Sequence, residues 1–237
     1  MSPTAAVDLP PSAIPAATNT PQAQDDPPQP LDRLRLTHDL NNPTVPASDL
    51  LPHHIISSPY PSATHTLDLR RVPAASALFA RALQTLRPAT PAYATAPYDR
   101  AFDWAALFAT LRALAAADAG GGAPFPRSAF YVVAFRSVLK DGADGERLGL
   151  LDAMSHAEAV EAGGLLKYWF GVPDAERRNL ATCFWHSRED AAEGGKGPWH
   201  KKARAAAATM YESIRFETRR LTVEEGANEW AWEDWKH

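Results

Sequence analysis

The sequence predicts an α+β fold: a four-stranded antiparallel sheet with two helices, preceded by a strand–helix–helix extension. Three observations predict it. From residue 129 the elements run strand, helix, strand, strand, helix, strand. The stretch 130–139 (FYVVAFRSVL) carries apolar residues at even and odd positions alike, so both faces of that strand need cover. Helical spacing recurs in the two long segments between strands. This order is the split βαβ, ferredoxin-like arrangement, in which both helices lie on one face of the sheet. Tyr131, Phe135, Trp169 or Tyr168, and Phe184 or Trp185 would leave a large apolar patch on the other face. A second copy of the sheet is the first expectation for its cover. The N-terminal extension and the Trp-rich C-terminus are the alternatives.

Each element has its own signal. Residues 1–62 hold 13 of the 21 prolines and read as a disordered tail, because proline removes donors and fixes φ. Residues 63–122 form an extension that packs on the core. Its strand is Thr66–Val72, ended by Pro73. A helix of about 13 residues follows, with Ala75, Phe79, Ala82, Leu83 and Leu86 at helical spacing. Asp103 suits an N-cap for a second helix bearing Trp104, Leu107, Phe108, Leu111 and Leu114, and Gly120–Gly122 form a joint. The core is 123–224. After the first strand, a turn at 141–145 leads to a helix over 146–162, with Leu150, Ala153, Met154, Ala157 and Val160 on its apolar face. Strands Leu165–Phe170 and Asn179–His186 follow. Ser187-Arg188-Glu189-Asp190 fits a capping box. A helix begins at Pro198 and runs to about Ser213, and the last strand is Ile214–Val223. Residues 225–237 are an acidic tail whose Trp230, Trp232 and Trp235 dock on the chain, on a mate, or on a partner.

Composition narrows the class. The 237 residues carry a formal charge of −4, and a mildly acidic chain gives no footing for nucleic acid. The one cysteine, Cys183, cannot form an intramolecular disulfide, so an intracellular, cytoplasmic setting is expected. No apolar run of roughly 18 residues is present, and the N-terminus has neither the charge pattern of a secretory signal nor that of a transit peptide. Neither membrane nor nucleic acid is expected as a partner.

The run NLATCFWHSREDA, followed by GPWHKKARAAAATMYESIRFETRRL, resembles the second half of the dimeric α+β barrel superfamily. That group includes antibiotic-biosynthesis monooxygenase-like and haem-degrading monooxygenase-like proteins. More closely, GGLLKYWFG, RNLATCFW, SREDA and GPWHKKARAAAA, with FDW at 102–104, are similar to an uncharacterised family of fungal proteins over roughly 64–235. The resemblance implies the barrel fold and no function; the expected homodimer rests on the sheet face that needs cover.

Candidate site residues follow. His200 stands at a helix start after a glycine loop and is the candidate catalytic residue, its plainer role being to cap or pack there. In haem-degrading members a His on the corresponding helix ligates iron. The interval from Trp185 to His200, with its EGGKG loop, differs from the tight spacing of those enzymes, so no cofactor is expected. His156, His186 and His200 lack local ligand spacing, so no metal is expected either. Tyr131, Tyr168, Trp169, Trp185 and Trp199 are candidates to line a pocket for a small apolar ligand. Gly195, Lys196 and Gly197 at a helix start form a candidate anion site. Cys183 reads as a buried, inert thiol. The functional expectation is a small-molecule-binding barrel, with cofactor-free monooxygenase- or cyclase-like chemistry on an apolar or aromatic compound. The alternative is a non-catalytic dimeric assembly module.

Overall fold

A computed structural model describes residues 53–60, 62–118 and 124–235. The expected disordered tail falls mostly outside these residues, and so does the glycine joint at 120–122. A strand at 54–56 precedes the position near His65 where order was expected to begin. Strand β1 (His54–Ile56) pairs antiparallel with β2 (Thr66–Asp68), which is shorter than predicted because a 3-10 turn takes over at Leu69. Helix α1 (Ala74–Ala82) continues as a 3-10 turn, α2 (Tyr98–Ala101) is short, and α3 spans Trp104–Asp118. The Asp103 carboxylate accepts the Ala106 N–H at 3.1 Å, as an N-cap should.

The core follows the predicted order: β3 (Ser128–Leu139), α4 (Gly145–Ala162), β4 (Leu165–Phe170), β5 (Arg178–Trp185), α5 (Arg188–Gly194), α6 (Pro198–Met210) and β6 (Tyr211–Val223). The tail adds a fifth strand, β7 (Trp230–Asp234). The sheet order is β4-β5-β3-β6-β7, every neighbour antiparallel, and its first four strands have the ferredoxin-like order. Ser187 caps α5 through the Asp190 N–H at 3.0 Å. Among the described residues no helix is long and apolar enough to cross a membrane.

The two faces are filled differently. Phe130, Val132, Ala134, Leu180, Phe184 and Leu221 point to one face, where α1 and α3 lay Phe79, Leu83, Leu107, Phe108 and Leu111 on them. The second copy expected over this face is thus replaced by the chain's own extension. The reason is supply: two amphipathic helices and Trp230 and Trp232 of β7 already bring enough apolar surface to close the layer. Tyr131, Leu165, Tyr168, Cys183 and Trp185 point to the other face, under Ala159 and Val160 of α4. The apolar stripe of α4 is shifted from the predicted one. Leu151, Ser155, His156, Ala159 and Val160 are buried, whereas Leu150 is 55% exposed. With alanine frequent all round that helix, periodicity alone could not fix its rotation.

The segment between β1 and β2 wraps the free edge of β4. The Tyr168 N–H donates to the Ser57 carbonyl at 2.6 Å, and Ser57 Oγ donates to the Leu165 carbonyl at 2.5 Å. This strap satisfies an edge that would otherwise present unpaired backbone groups. It also carries Tyr60 from one face of the sheet to the other.

Candidate functional site

A cavity of about 820 Å³ lies between the sheet and helices α4 and α6. Val133, Phe135, Phe170, Ala181, Ala203 and Ile214 give it a largely apolar wall. Tyr60, Asp152, His156, Tyr168, Cys183 and His200 interrupt that wall with polar atoms. His200, Tyr168 and Trp185, predicted from different segments, therefore meet in one space.

Asp152 is the hub. Tyr168 donates its hydroxyl to Asp152 Oδ1 at 2.9 Å, and the Tyr60 hydroxyl donates to Oδ2. Burial beside this carboxylate pushes both phenols well above their ordinary range, so they stay protonated donors. One turn on, His156 Nδ1 lies 2.8 Å from the Asp152 carbonyl oxygen and 3.5 Å from Oδ1. A carbonyl only accepts, so Nδ1 carries a hydrogen, and in the neutral imidazole Nε2 is the nitrogen with the lone pair. The imidazole stacks on Tyr168 with centroids 3.4 Å apart.

His200 is held from the other side. Its Nδ1 is 3.3 Å from Glu158 Oε2, and the Trp199 and His200 N–H groups donate to the same carboxylate at 2.8 and 3.1 Å. Burial, with His156 nearby, pulls the His200 imidazole below its usual value, while Glu158 opposes that. The net direction leaves His200 neutral at pH 7. Its Nε2 has no protein partner among the described residues.

The anion expected at the start of α6 is accordingly Glu158, a carboxylate of the chain itself, on the backbone N–H groups. Gly197 backs onto that carboxylate, Lys196 pairs with Glu193, and Gly195 lines the cavity with its carbonyl accepting from Arg204. Of the aromatic candidates, Tyr168 and Trp185 line the cavity. Trp169 faces the opposite side, edge-on to Tyr93 and Phe102, because neighbours in a strand alternate faces. Tyr131 shares the cavity's face but is covered by Trp235. Trp199 packs between α4 and α6 under Lys202. Among the described residues no group of three or more His, Cys, Asp or Glu is placed to hold a metal ion.

Sequence reasoning passed over Asp152 and Tyr60, and weighed His156 only as a metal ligand. The available signal was the i,i+4 pair Asp152–His156, which shares one helix face. Tyr60 had none, since it sits in a proline-rich stretch.

His65, behind Tyr60, gives a stability prediction. Its Nδ1 is 2.7 Å from Ser58 Oγ, and burial, reinforced by His156, pulls its imidazole down to about 4. The unfolded chain takes this proton near the ordinary 6.5 or so, and the folded chain does so only near 4. Stability from this group is therefore complete above that ordinary value and falls as the pH drops towards 4. Allowing for solvent screening, the loss is about 2 kcal/mol. Urea unfolding between pH 7 and 4.5 will show a shallower acid loss in His65→Gln than in the wild type. Equal slopes would refute the assignment.

The chain resembles solved structures of protein SO0527 from Shewanella oneidensis (18% identity, TM-score 0.35, 39% of this chain and 91% of that one) and Rv0793 from Mycobacterium tuberculosis (22%, 0.33, 38% and 92%). A third, from Nitrosomonas europaea, provisionally described as an antibiotic biosynthesis monooxygenase, is 18% identical with TM-score 0.33 over 37% of this chain and 94% of that one. The UPF0643 protein PB2B2.08 of Schizosaccharomyces pombe is 35% identical over 207 residues, 83% of this chain and 93% of its own length. The model of the family described as PB2B2.08-like matches residues 56–234. On that match and that identity, the chain belongs to the PB2B2.08-like family.

Proposed function

We propose that the cavity binds a flat, largely apolar organic molecule, and that the chain acts on it as a cofactor-free monooxygenase- or cyclase-like enzyme. One observation carries this reading: polar groups from the strap, α4, β4 and α6 converge on one otherwise apolar cavity. A neutral His200, with Nδ1 turned to Glu158, offers Nε2 as a base to an acidic C–H or O–H of the ligand. Asp152, with its two phenols, orients a polar group of the ligand. The cavity's size suits a compound of two or three fused rings.

The test is a fluorescence titration with N-phenyl-1-naphthylamine, a neutral apolar dye. Saturable one-to-one binding is expected, and Ala181→Phe, which fills the cavity, will weaken it at least tenfold. Oxygen uptake with a panel of flat phenols then tests catalysis, and His200→Ala will lower the rate about a hundredfold. No saturable binding by the wild type would end the ligand reading; binding with no turnover of any phenol would end the enzymatic one.

A second reading, a homodimeric assembly, draws on Leu150 and Phe216, which are 55% and 57% exposed at the rim of the cavity. A mate seated there would bury both. Sedimentation analysis of wild type against Phe216→Lys tests it: a monomer in both would exclude this contact.

A further inference from the structure

We infer that Cys183, His156 and Asp152 form a nucleophilic site that captures an electrophilic ligand, an α,β-unsaturated carbonyl compound, in the cavity. The inference rests on the reading of that cavity as a ligand site and names a further chemistry for it. Cys183 lies mid-strand in β5, 4% exposed, and its thiol reaches the cavity. Its Sγ is 3.7 Å from His156 Nε2, the nitrogen that bears the lone pair in the tautomer whose Nδ1 donates to the Asp152 carbonyl. Stacking on Tyr168 and the bond one turn back fix the imidazole plane. Nucleophile, base and orienting group thus stand in sequence, from β5 and from positions 156 and 152 of α4. All three line one cavity.

The environment requires the base. Burial and the Asp152 charge push the Cys183 thiol well above its ordinary range, so it does not ionise unaided near neutrality. A base in contact removes that barrier at the moment of attack. In the step, the thiol proton passes to His156 Nε2 while sulfur bonds to the β-carbon of the enone. The C=C pair moves to give the enolate, and the imidazolium returns the proton to the α-carbon. Sulfur and hydrogen add across the double bond, and no oxidant or further reactant is consumed. His156 touches the reacting hydrogen; Asp152 is a positioning residue.

The chain has one cysteine, so whole-protein mass reports on Cys183 alone. Incubated with 2-cyclohexen-1-one, the full-length wild type will gain one enone, and Cys183→Ser will gain none. His156→Gln will slow the gain about a hundredfold, as loss of a general base does. Asp152→Asn leaves the carbonyl partner of His156 but alters the carboxylate that lies 3.5 Å from Nδ1 and holds Tyr168 against the imidazole; it will slow the gain about tenfold, and Asp152→Glu will recover part of the rate, which a merely structural role for Asp152 would not produce. Wild type and the His156 and Asp152 variants react alike in guanidinium, where the site is gone. Circular dichroism checks folding, and if His156→Gln does not fold, the Asp152 pair decides. Equal rates in folded wild type and variants would overturn the inference, and so would naphthylamine binding without any adduct. Failure of both binding and adduct would remove the ligand reading as well.

Discussion

Phe79→Ala will cost the protein about 3–5 kcal/mol, read as a lower urea midpoint at unchanged slope. Phe79 is 0% exposed, stacks on Phe130 of β3 at 4.2 Å, and has Phe108 and Phe184 within 6.4 Å. Its ring joins α1, α3 and two strands of the sheet. Truncation removes the transfer energy of the ring and leaves a hole that rigid neighbours cannot close. In a domain whose whole stability is on the order of 5–15 kcal/mol, that is a large share. Leu150→Ala is the control: its exposed side chain should change stability by less than about 0.5 kcal/mol. A loss below about 1 kcal/mol at Phe79 would mean that the extension does not seal the sheet.

This result bears on how the fold closes. A sheet apolar on both faces requires two covering layers, and that requirement was visible in Phe130–Leu139. The identity of the second layer was not. Helices that pack on the chain's own sheet and helices that accompany a dimer have the same amphipathic pattern, so residues 74–118 did not announce their target. The strap was hidden for a related reason. Ser57 and Tyr60 act through backbone bonds to a strand edge and one long-range contact with Asp152, and neither leaves a period in the sequence. The site was half legible. Tyr168, Trp185 and His200 stood out by residue type and place, whereas Asp152 looked like any polar residue of a helix until β4 and the strap were set against it. Trp169 shows the limit of composition: beside Tyr168 in a strand, it had to face away.

Lys167→Met will stabilise the protein by about 2 kcal/mol at pH 7. Lys167 is 7% exposed, on the strand edge that the strap closes, and its ammonium meets only the Gln84 side-chain oxygen, at 3.1 Å. No carboxylate pairs with it among the described residues, and burial alone pulls it from 10.5 to about 8. The sign follows from that depression. Between about 8 and the ordinary value the unfolded chain holds the proton and the folded chain releases it, so stability rises with pH through this window. Below it the folded state bears the full cost of a buried cation, on the order of 3 kcal/mol, offset by about 1 for the bond to Gln84. Methionine keeps the unbranched stem that packs here and omits the charge. Its advantage will therefore be complete at pH 7, shrink above pH 8 and vanish near pH 10.5. Paired urea titrations of the two proteins at pH 7, 9 and 10.5 measure that closing gap. A constant gap would show that packing, not the buried charge, sets the difference, and a destabilised Lys167→Met would show that the lysine has an anionic partner yet to be identified.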